Sequence, residues 1–155
     1  MTFLGLELDN QDLDSFLQLL SPEDTEKNIV EINLSRREFL YRWTVDNKIS
    51  SDGMHDFCKH LASHFPCLVR LDVSCTALFL PFDTDNPVGD SGVTFLYEAI
   101  KSRIETRLSI LTFINLTSTN ISQEGARTIY SMIRKSDGAL IVSFESSCLN
   151  SLSCR

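Results

Sequence analysis

Three histidines within one ten-residue stretch are the side chains of this chain best suited to chemistry. They are His55, His60 and His64, and Cys58 and Cys67 lie nearby in the sequence. His60 and His64 are four residues apart, so on a helix they share a face, which is an acceptable spacing for zinc ligands. No second ligand pair has standard spacing, and the histidines flank the apolar face of the segment. We therefore expect a solvated helix face, with no metal and no cofactor.

Other catalytic patterns do not occur in the sequence. A cysteine–histidine nucleophile pair is disfavoured because Cys58 is expected to be a small, half-buried side chain. There is no Ser-His-Asp arrangement, phosphate-binding loop or dinucleotide motif. The acidic segment DTDNPVGD (83–90) lacks the glycine position and the terminal glutamate of a calcium loop. We expect a protein that is not an enzyme; the alternative is a small metal-binding or enzymatic protein that uses the histidines and cysteines.

Length, charge and cysteine content limit the function further. The chain has 155 residues, of which 43% are hydrophobic, enough for one domain with a core and too few for two. A net charge of −7 argues against nucleic acid or anionic lipid as the main partner. No apolar run approaches the roughly 20 residues that cross a bilayer, so we expect no membrane insertion. Five cysteines without a CxxC pair, and a start unlike a secretory signal, predict a cytoplasmic or nuclear location.

One strand pattern returns five times along the chain. Each copy has an apolar residue, two residues of any type, and then two apolar residues separated by one residue. This is the period-2 alternation of a short strand with one buried face. The copies are Phe3-Leu6-Leu8, Ile29-Ile32-Leu34, Leu68-Leu71-Val73, Leu111-Ile114-Leu116 and Ala139-Val142-Phe144.

A helix pattern follows the second, third and fourth strands. Each copy has an aliphatic residue four positions before a glycine and apolar residues four and eight positions after it, which places them on one helix face. We expect the glycine to let the helix start lie close to the strands. Ser50 and Ser122 stand where N-caps belong, and each helix has an acidic residue in its first turn. The copies are NKISSDGMHDFCKHL (47–61), NPVGDSGVTFLYEAI (86–100) and NISQEGARTIYSMI (120–133).

Together the two patterns, LxxLxLxxNxL and then xxxGxxxLxxxL, resemble leucine-rich repeats of the ribonuclease-inhibitor type. The resemblance covers roughly residues 3–145. It implies an α/β solenoid of about five repeats, with short parallel strands on the concave face and about four helices on the convex face. We assign residues 1–147 to a single domain and 148–155 to a C-terminal tail or cap. The C-terminal edge of such a solenoid is open, so we expect self-association or a partner there.

Two neighbouring repeats are longer than the family's usual length of about 28 residues. When shifted by 39 residues, SRREFLYRWTVDN (35–47) aligns with SCTALFLPFDTDN (74–86), so both repeats carry an insertion between strand and helix. The insertions are rich in large apolar side chains. A further excess, SRIETR (102–107), is interpreted as a longer return from helix to strand.

The outward strand positions and the insertions are the candidate partner-binding residues. The resemblance implies that the outward positions line the concave contact surface. Most of the charged residues at these positions are acidic, which favours a partner with a basic surface. The bland alternative is the solvated face of an acidic protein. Aromatic residues in the insertions are typical interface anchors. The expected function is a non-catalytic protein–protein interaction module, a scaffold or an adaptor. The candidates are Glu31, Asn33, Arg70, Asp72, Phe113 and Asn115 on strands, and Tyr41, Arg42, Trp43, Phe79 and Phe82 in insertions.

Overall fold

Helices and strands alternate in the computed structural model, which describes residues 9–19, 29–35, 49–74, 88–108 and 111–146. The described part of the chain therefore has the expected α/β class. Its helices are α1 (Asn10–Leu19), α2 (Ser51–Ser63), α3 (Gly89–Glu105) and α4 (Gln123–Lys135). Its strands are β1 (Glu31–Asn33), β2 (Arg70–Asp72), β3 (Phe113–Ile121) and β4 (Ile141–Ser146).

The four described strands form one parallel sheet in the order β1-β2-β3-β4. The strand pattern predicts their register correctly. The pairing aligns the equivalent inward residues Ile32, Leu71, Ile114 and Val142 across the sheet. The predicted first strand, residues 3–8, lies outside the described residues, so four of the five expected strands are observed.

The apolar core lies between this sheet and the helices. Most of the predicted helix faces are confirmed, and only Ile133 at the end of α4 is partly exposed. Full burial of each such side chain contributes about 1.5–3 kcal/mol. The core residues on the predicted faces are at most 2% exposed: Ile49, Phe57, Leu61, Val88, Leu96, Ile100, Ile121 and Ile129.

Strand β4 departs from the pattern at its start. Ala139, predicted to face inward, is exposed, and Leu140 is buried in its place. A turn precedes the strand: Gly138 has a φ of 75°, and the hydroxyl of Ser136 accepts from the backbone N–H of Leu140 at 3.3 Å. The turn moves the buried position one residue along the chain.

Helix α3 is longer than predicted. It continues to Glu105, so residues 102–105 of the segment interpreted as a return belong to the helix. The interpretation was wrong because Arg103, three residues after the buried Ile100, also lies on the buried face and is 1% exposed. Only Thr106 and Arg107 form the turn that follows.

The two predicted serine N-caps are confirmed. The hydroxyl of Ser50 accepts from the backbone N–H of Asp52 at 3.2 Å, and that of Ser122 accepts from Glu124 at 3.1 Å. Each bond satisfies a backbone donor that the first helical turn leaves without a helical partner. The acidic residues of the first turns also lie where the helix dipole stabilises negative charge.

The glycines approach the preceding helix, and not only the strand layer as predicted. A Cβ added at Gly92 would lie 2.5 Å from Cγ1 of Val88 and 3.4 Å from Cβ of Met54 on α2. A Cβ added at Gly53 would collide with the side chain of Asn10 on α1. Consecutive helices lie side by side, so the missing side chain makes room for the neighbouring helix.

The connection from β3 to α4 is a distorted strand. Pairing shifts after Leu116 and resumes where Ile121 lies opposite Ser146. Asn120 has a φ of 59°, which asparagine tolerates, and its side chain is exposed. The buried polar residue of this segment is Thr119, whose hydroxyl donates to the carbonyl of Leu116 at 2.7 Å.

Candidate protein-binding face of the sheet

The six strand residues predicted to bind a partner form two rows on the exposed face of the sheet. Strand alternation places them opposite the buried residues of the same strands. The first row contains Glu31, Arg70, Phe113 and Ile141, in strand order. The second row contains Asn33, Asp72, Asn115 and Ser143.

The first row changes from acidic to apolar across the sheet. Nε of Arg70 lies 3.9 Å from Oε1 of Glu31, and its guanidinium carbon lies 4.7 Å from the ring centre of Phe113. Such a cation–π contact contributes about 0.5–1 kcal/mol at an exposed site, and the exposed ion pair contributes a similar amount or less. Ile141 ends the row and is 65% exposed. This row offers charge at one end and apolar surface at the other.

The second row closes the ends of the strands. Oδ1 of Asn33 accepts from the backbone N–H of Ser35 at 3.0 Å and from its hydroxyl at 2.6 Å. Oδ1 of Asp72 accepts the same pair of bonds from Ser74, at 3.0 and 2.7 Å. In each case a side-chain oxygen satisfies backbone and hydroxyl donors two residues later, as Asn and Asp do in turns.

Asn115 repeats this arrangement and also bonds across the strands. Its Oδ1 accepts from the backbone N–H of Thr117 at 3.2 Å and from its hydroxyl at 2.8 Å. Its Nδ2 donates to Oδ2 of Asp72 at 3.2 Å, and the hydroxyl of Thr117 lies 3.2 Å from that of Ser143. The second row therefore has an architectural role that the sequence pattern did not indicate.

The candidate residues of the insertions, Tyr41, Arg42, Trp43, Phe79 and Phe82, lie outside the described residues. The described ranges 29–35 and 49–74 end at Ser35 and Ser74, which are the first residues of the two insertions.

Within the described ranges, the three histidines, Cys58 and Cys67 do not form one cluster. The ring centre of His55 lies 4.5 Å from that of Phe95, beside a groove of about 250 Å³ between α2 and α3. Cys58 is buried, and burial raises the pKa of its thiol to about 12. His60 and His64 face each other with ring centres 5.5 Å apart. Partial burial, together with His64, lowers the pKa of His60. No group of three or more His, Cys, Asp or Glu side chains in the described part of the chain is arranged to hold a metal ion.

Two polar contacts between helices were not predicted. Asn10 of α1 accepts from the backbone N–H of Ser50 at 3.0 Å, and its amide donates to the Ser50 hydroxyl at 2.6 Å. Asp90 of α3 bonds the same two groups of Ser122, but it accepts both bonds, from the backbone N–H at 2.8 Å and from the hydroxyl. The first turn of the preceding helix therefore holds each N-cap serine, next to Gly53 in one case and Gly125 in the other.

Arg103 connects α3 to the end of α2. Its Nη1 donates to the carbonyls of Leu61 at 2.8 Å and His64 at 2.9 Å, and its Nη2 donates to Phe65 at 3.0 Å. The helix C-terminus is where a cation is stabilised by the dipole, and burial lowers the pKa of Arg103. Its place three residues after Ile100 was the one sequence signal that could have indicated this inward orientation.

None of the helices in the described ranges is long and apolar enough to cross a membrane. No protein-family model matches the chain, and no curated protein matches it as a relative.

Proposed function

We propose that this chain is a non-catalytic protein–protein interaction module, built as a leucine-rich-repeat solenoid of about five repeats. The observation that carries the proposal is the first row, which aligns Glu31, Arg70, Phe113 and Ile141 on one exposed face. Neighbouring strands lie about 4.8 Å apart, so these four residues cross about 14 Å of surface. That width suits a protein segment lying across the strands.

The partner surface we propose is basic at one end. Glu31 and Asp72 are carboxylates on this face, and the whole chain has a net charge of −7. The cation of the face, Arg70, lies between Glu31 and the Phe113 ring, so part of its charge is offset locally. A cationic partner would be attracted over long range, which raises the rate of association more than it raises affinity.

The insertions extend the proposed site. Tyr41, Arg42, Trp43, Phe79 and Phe82 supply aromatic and arginine side chains, the types that dominate binding energy at protein interfaces. We propose that they form a second contact beside the strand face. We also propose that the C-terminal edge, beyond β4 of the described sheet, can pair with another copy of the chain.

The proposed role is that of a scaffold or adaptor in the cytoplasm or nucleus. Support for the location comes from the five cysteines without a CxxC pair. We favour this role over an enzyme because burial raises the pKa of the Cys58 thiol, which disfavours the thiolate that a nucleophile needs. The His55 ring contacts that of Phe95, whereas His60 and His64 contact each other.

The test begins with affinity purification of a partner and measurement of its binding kinetics against purified chain. Glu31→Lys should slow association several-fold at low salt, and the effect should shrink as salt rises and the Debye length falls. Glu105→Lys makes the same charge change at the exposed end of α3 and should leave association nearly unchanged. Binding that is independent of salt, and equal in both variants, would move the site away from the strands.

A second arm tests the insertions. Trp43→Ala or Phe82→Ala should weaken binding to the same partner by at least about 1–2 kcal/mol. Unfolding free energy should fall by less than the approximately 3–5 kcal/mol of a buried aromatic truncation. If both variants unfold, and neither weakens binding under conditions where it stays folded, the insertions belong to the core and not to the site.

A further inference from the structure

We infer that His60 and His64 form a two-histidine chelate for a divalent transition-metal ion, for which Zn²⁺ is the natural candidate. The site lies at the C-terminal end of α2, away from the strand face. Imidazole nitrogen is a good ligand for zinc, copper and nickel, and two histidines four residues apart on a helix present it on one side. This inference does not depend on the proposed function.

The separation of the two rings fits such a chelate. Imidazoles bound to one tetrahedral ion through nitrogens at about 2.0 Å would have ring centres about 5 Å apart. The observed ring centres are 5.5 Å apart, with ring planes inclined by 45°. His60 is half-buried and His64 is exposed, so an ion can reach the pair from solvent.

The backbone that carries His64 is fixed from two sides. Its N–H donates to the carbonyl of His60 at 2.7 Å, which keeps the helical spacing although His64 is the C-cap. Its own carbonyl accepts from Nη1 of the buried Arg103 at 2.9 Å. The two histidines are therefore held one helical turn apart before any ion arrives.

A contact with Ser63 engages one of the two nitrogens of the His64 ring. Nδ1 of His64 lies 2.9 Å from the hydroxyl of Ser63, so Nε2 is the nitrogen we assign to the ion. A metal-bound histidine is generally oriented by a hydrogen bond at its other ring nitrogen, and Ser63 supplies that contact here.

The charges around His60 are mixed. Asp14 on the neighbouring helix α1 and Asp56 on α2 impose negative potential on His60, and Lys59 opposes them. Lys59 donates to Oδ1 of Asp56 at 2.8 Å, so these two charges partly cancel. With two protein ligands, water would complete the coordination shell, as in open zinc sites. We expect micromolar affinity rather than the tight binding of a closed structural site.

Calorimetric titration of the full chain with ZnCl₂ tests the site. One ion should bind per chain, and His60→Ala and His64→Ala should each weaken binding at least about tenfold. His55→Ala removes the third histidine, whose ring contacts that of Phe95, and should leave zinc affinity unchanged. Circular dichroism of each variant establishes that it is folded before titration.

Two results of the titration would overturn the inference. One is the absence of zinc binding by the unaltered chain at millimolar ZnCl₂. The other is equal binding by the unaltered chain and both histidine variants, which would assign the ion to the cysteine thiols. Ring ¹⁵N spectra of the unaltered chain need no variant: zinc should shift the nitrogens of His60 and His64 and leave those of His55 in place. Shifts at His55 alone, or at none of the three, would likewise reject the site.

Discussion

Asn115 donates from its side-chain amide to Oδ2 of Asp72 at 3.2 Å, which joins two candidate binding residues across β2 and β3. The other carboxylate oxygen of Asp72 accepts from the backbone and hydroxyl of Ser74. Asp72 therefore contributes to the architecture of the strand ends as well as to the charge of the face. Glu31, at 3.9 Å from Arg70, has a much looser contact.

This difference predicts unequal effects on stability. Asp72→Ala should lower the free energy of unfolding by about 1–2 kcal/mol, because the N–H and hydroxyl of the buried Ser74 lose their acceptor. Glu31→Ala should lower it less than Asp72→Ala does, since the ion pair of Glu31 with Arg70 is exposed. Urea denaturation of both variants measures the effect. Equal midpoints would show that the Asp72 bonds contribute nothing to the fold.

The buried guanidinium of Arg103 predicts a large loss on truncation. Arg103→Met leaves the carbonyls of Leu61, His64 and Phe65 without this donor, so we expect a loss of about 3 kcal/mol or more. Arg103→Lys keeps the positive charge but not the planar guanidinium, so its free energy of unfolding should lie between those of the unaltered chain and Arg103→Met. Arg127→Met, at an exposed position of α4, is the control and should cost little. Denaturation midpoints for Arg103→Met and Arg127→Met that coincide would contradict the assigned role.

Close helix contacts predict that larger residues at the glycines destabilise the fold. Gly53→Leu and Gly125→Leu should each cost about 1–3 kcal/mol through overpacking, because an added Cβ meets Asn10 in one case and Asp90 in the other. Ser131→Leu at an exposed site of α4 controls for the residue type.

A double substitution makes the test specific. Asn10→Ala should reduce the cost of Gly53→Leu and leave that of Gly125→Leu unchanged, since only the first pair is in contact. Thermal or urea unfolding of the unaltered chain, the two single variants and the double variant gives the coupling energy between positions 10 and 53. Zero coupling between positions 10 and 53 would reject the assigned helix contact.

Burial of Cys58 predicts a loss of stability in alkali. The folded chain raises the pKa of this thiol from 9.0 to about 12, so it favours the neutral form. The stability that the neutral Cys58 thiol contributes is complete below pH 9.0. It declines as the pH rises towards about 12, because over this range the thiol ionises in the unfolded chain but stays neutral in the folded chain. Unfolding free energy measured over this range should decline less steeply in Cys58→Ala than in the unaltered chain. Parallel curves would show that the thiol ionises equally in both states.

The fold was predictable from sequence where the apolar pattern repeats. Ile32 and Leu71 each lie between two polar residues, and Ile114 stands at the same position of its repeat, which predicts the buried face and the register of the sheet. The serine caps were predictable for a similar reason, because the Ser50 hydroxyl acts on a backbone N–H two residues away. Local chemistry and periodicity are both visible in a linear sequence.

The contacts that were missed join polar groups far apart in the chain. Arg103 reaches carbonyls about forty residues earlier, and its charge suggests a surface position unless those partners are known. Asn10 lies in a repeat unit without the glycine pattern, so nothing marked it as the partner of Ser50. For the candidate face, the pattern indicated which residues point outward but not which of them bond to each other.

The turns that end the strands have a consequence for how this chain can change over evolutionary time. Asn33, Asp72 and Asn115 each accept from both the backbone and the hydroxyl two residues later, so drift at these positions is confined largely to Asn and Asp. Glu31, Arg70, Phe113 and Ile141 form the adjacent row, two residues earlier on each strand. Descendants of this sequence could therefore acquire new recognition by substituting one row, while the adjacent row keeps the strand ends unchanged.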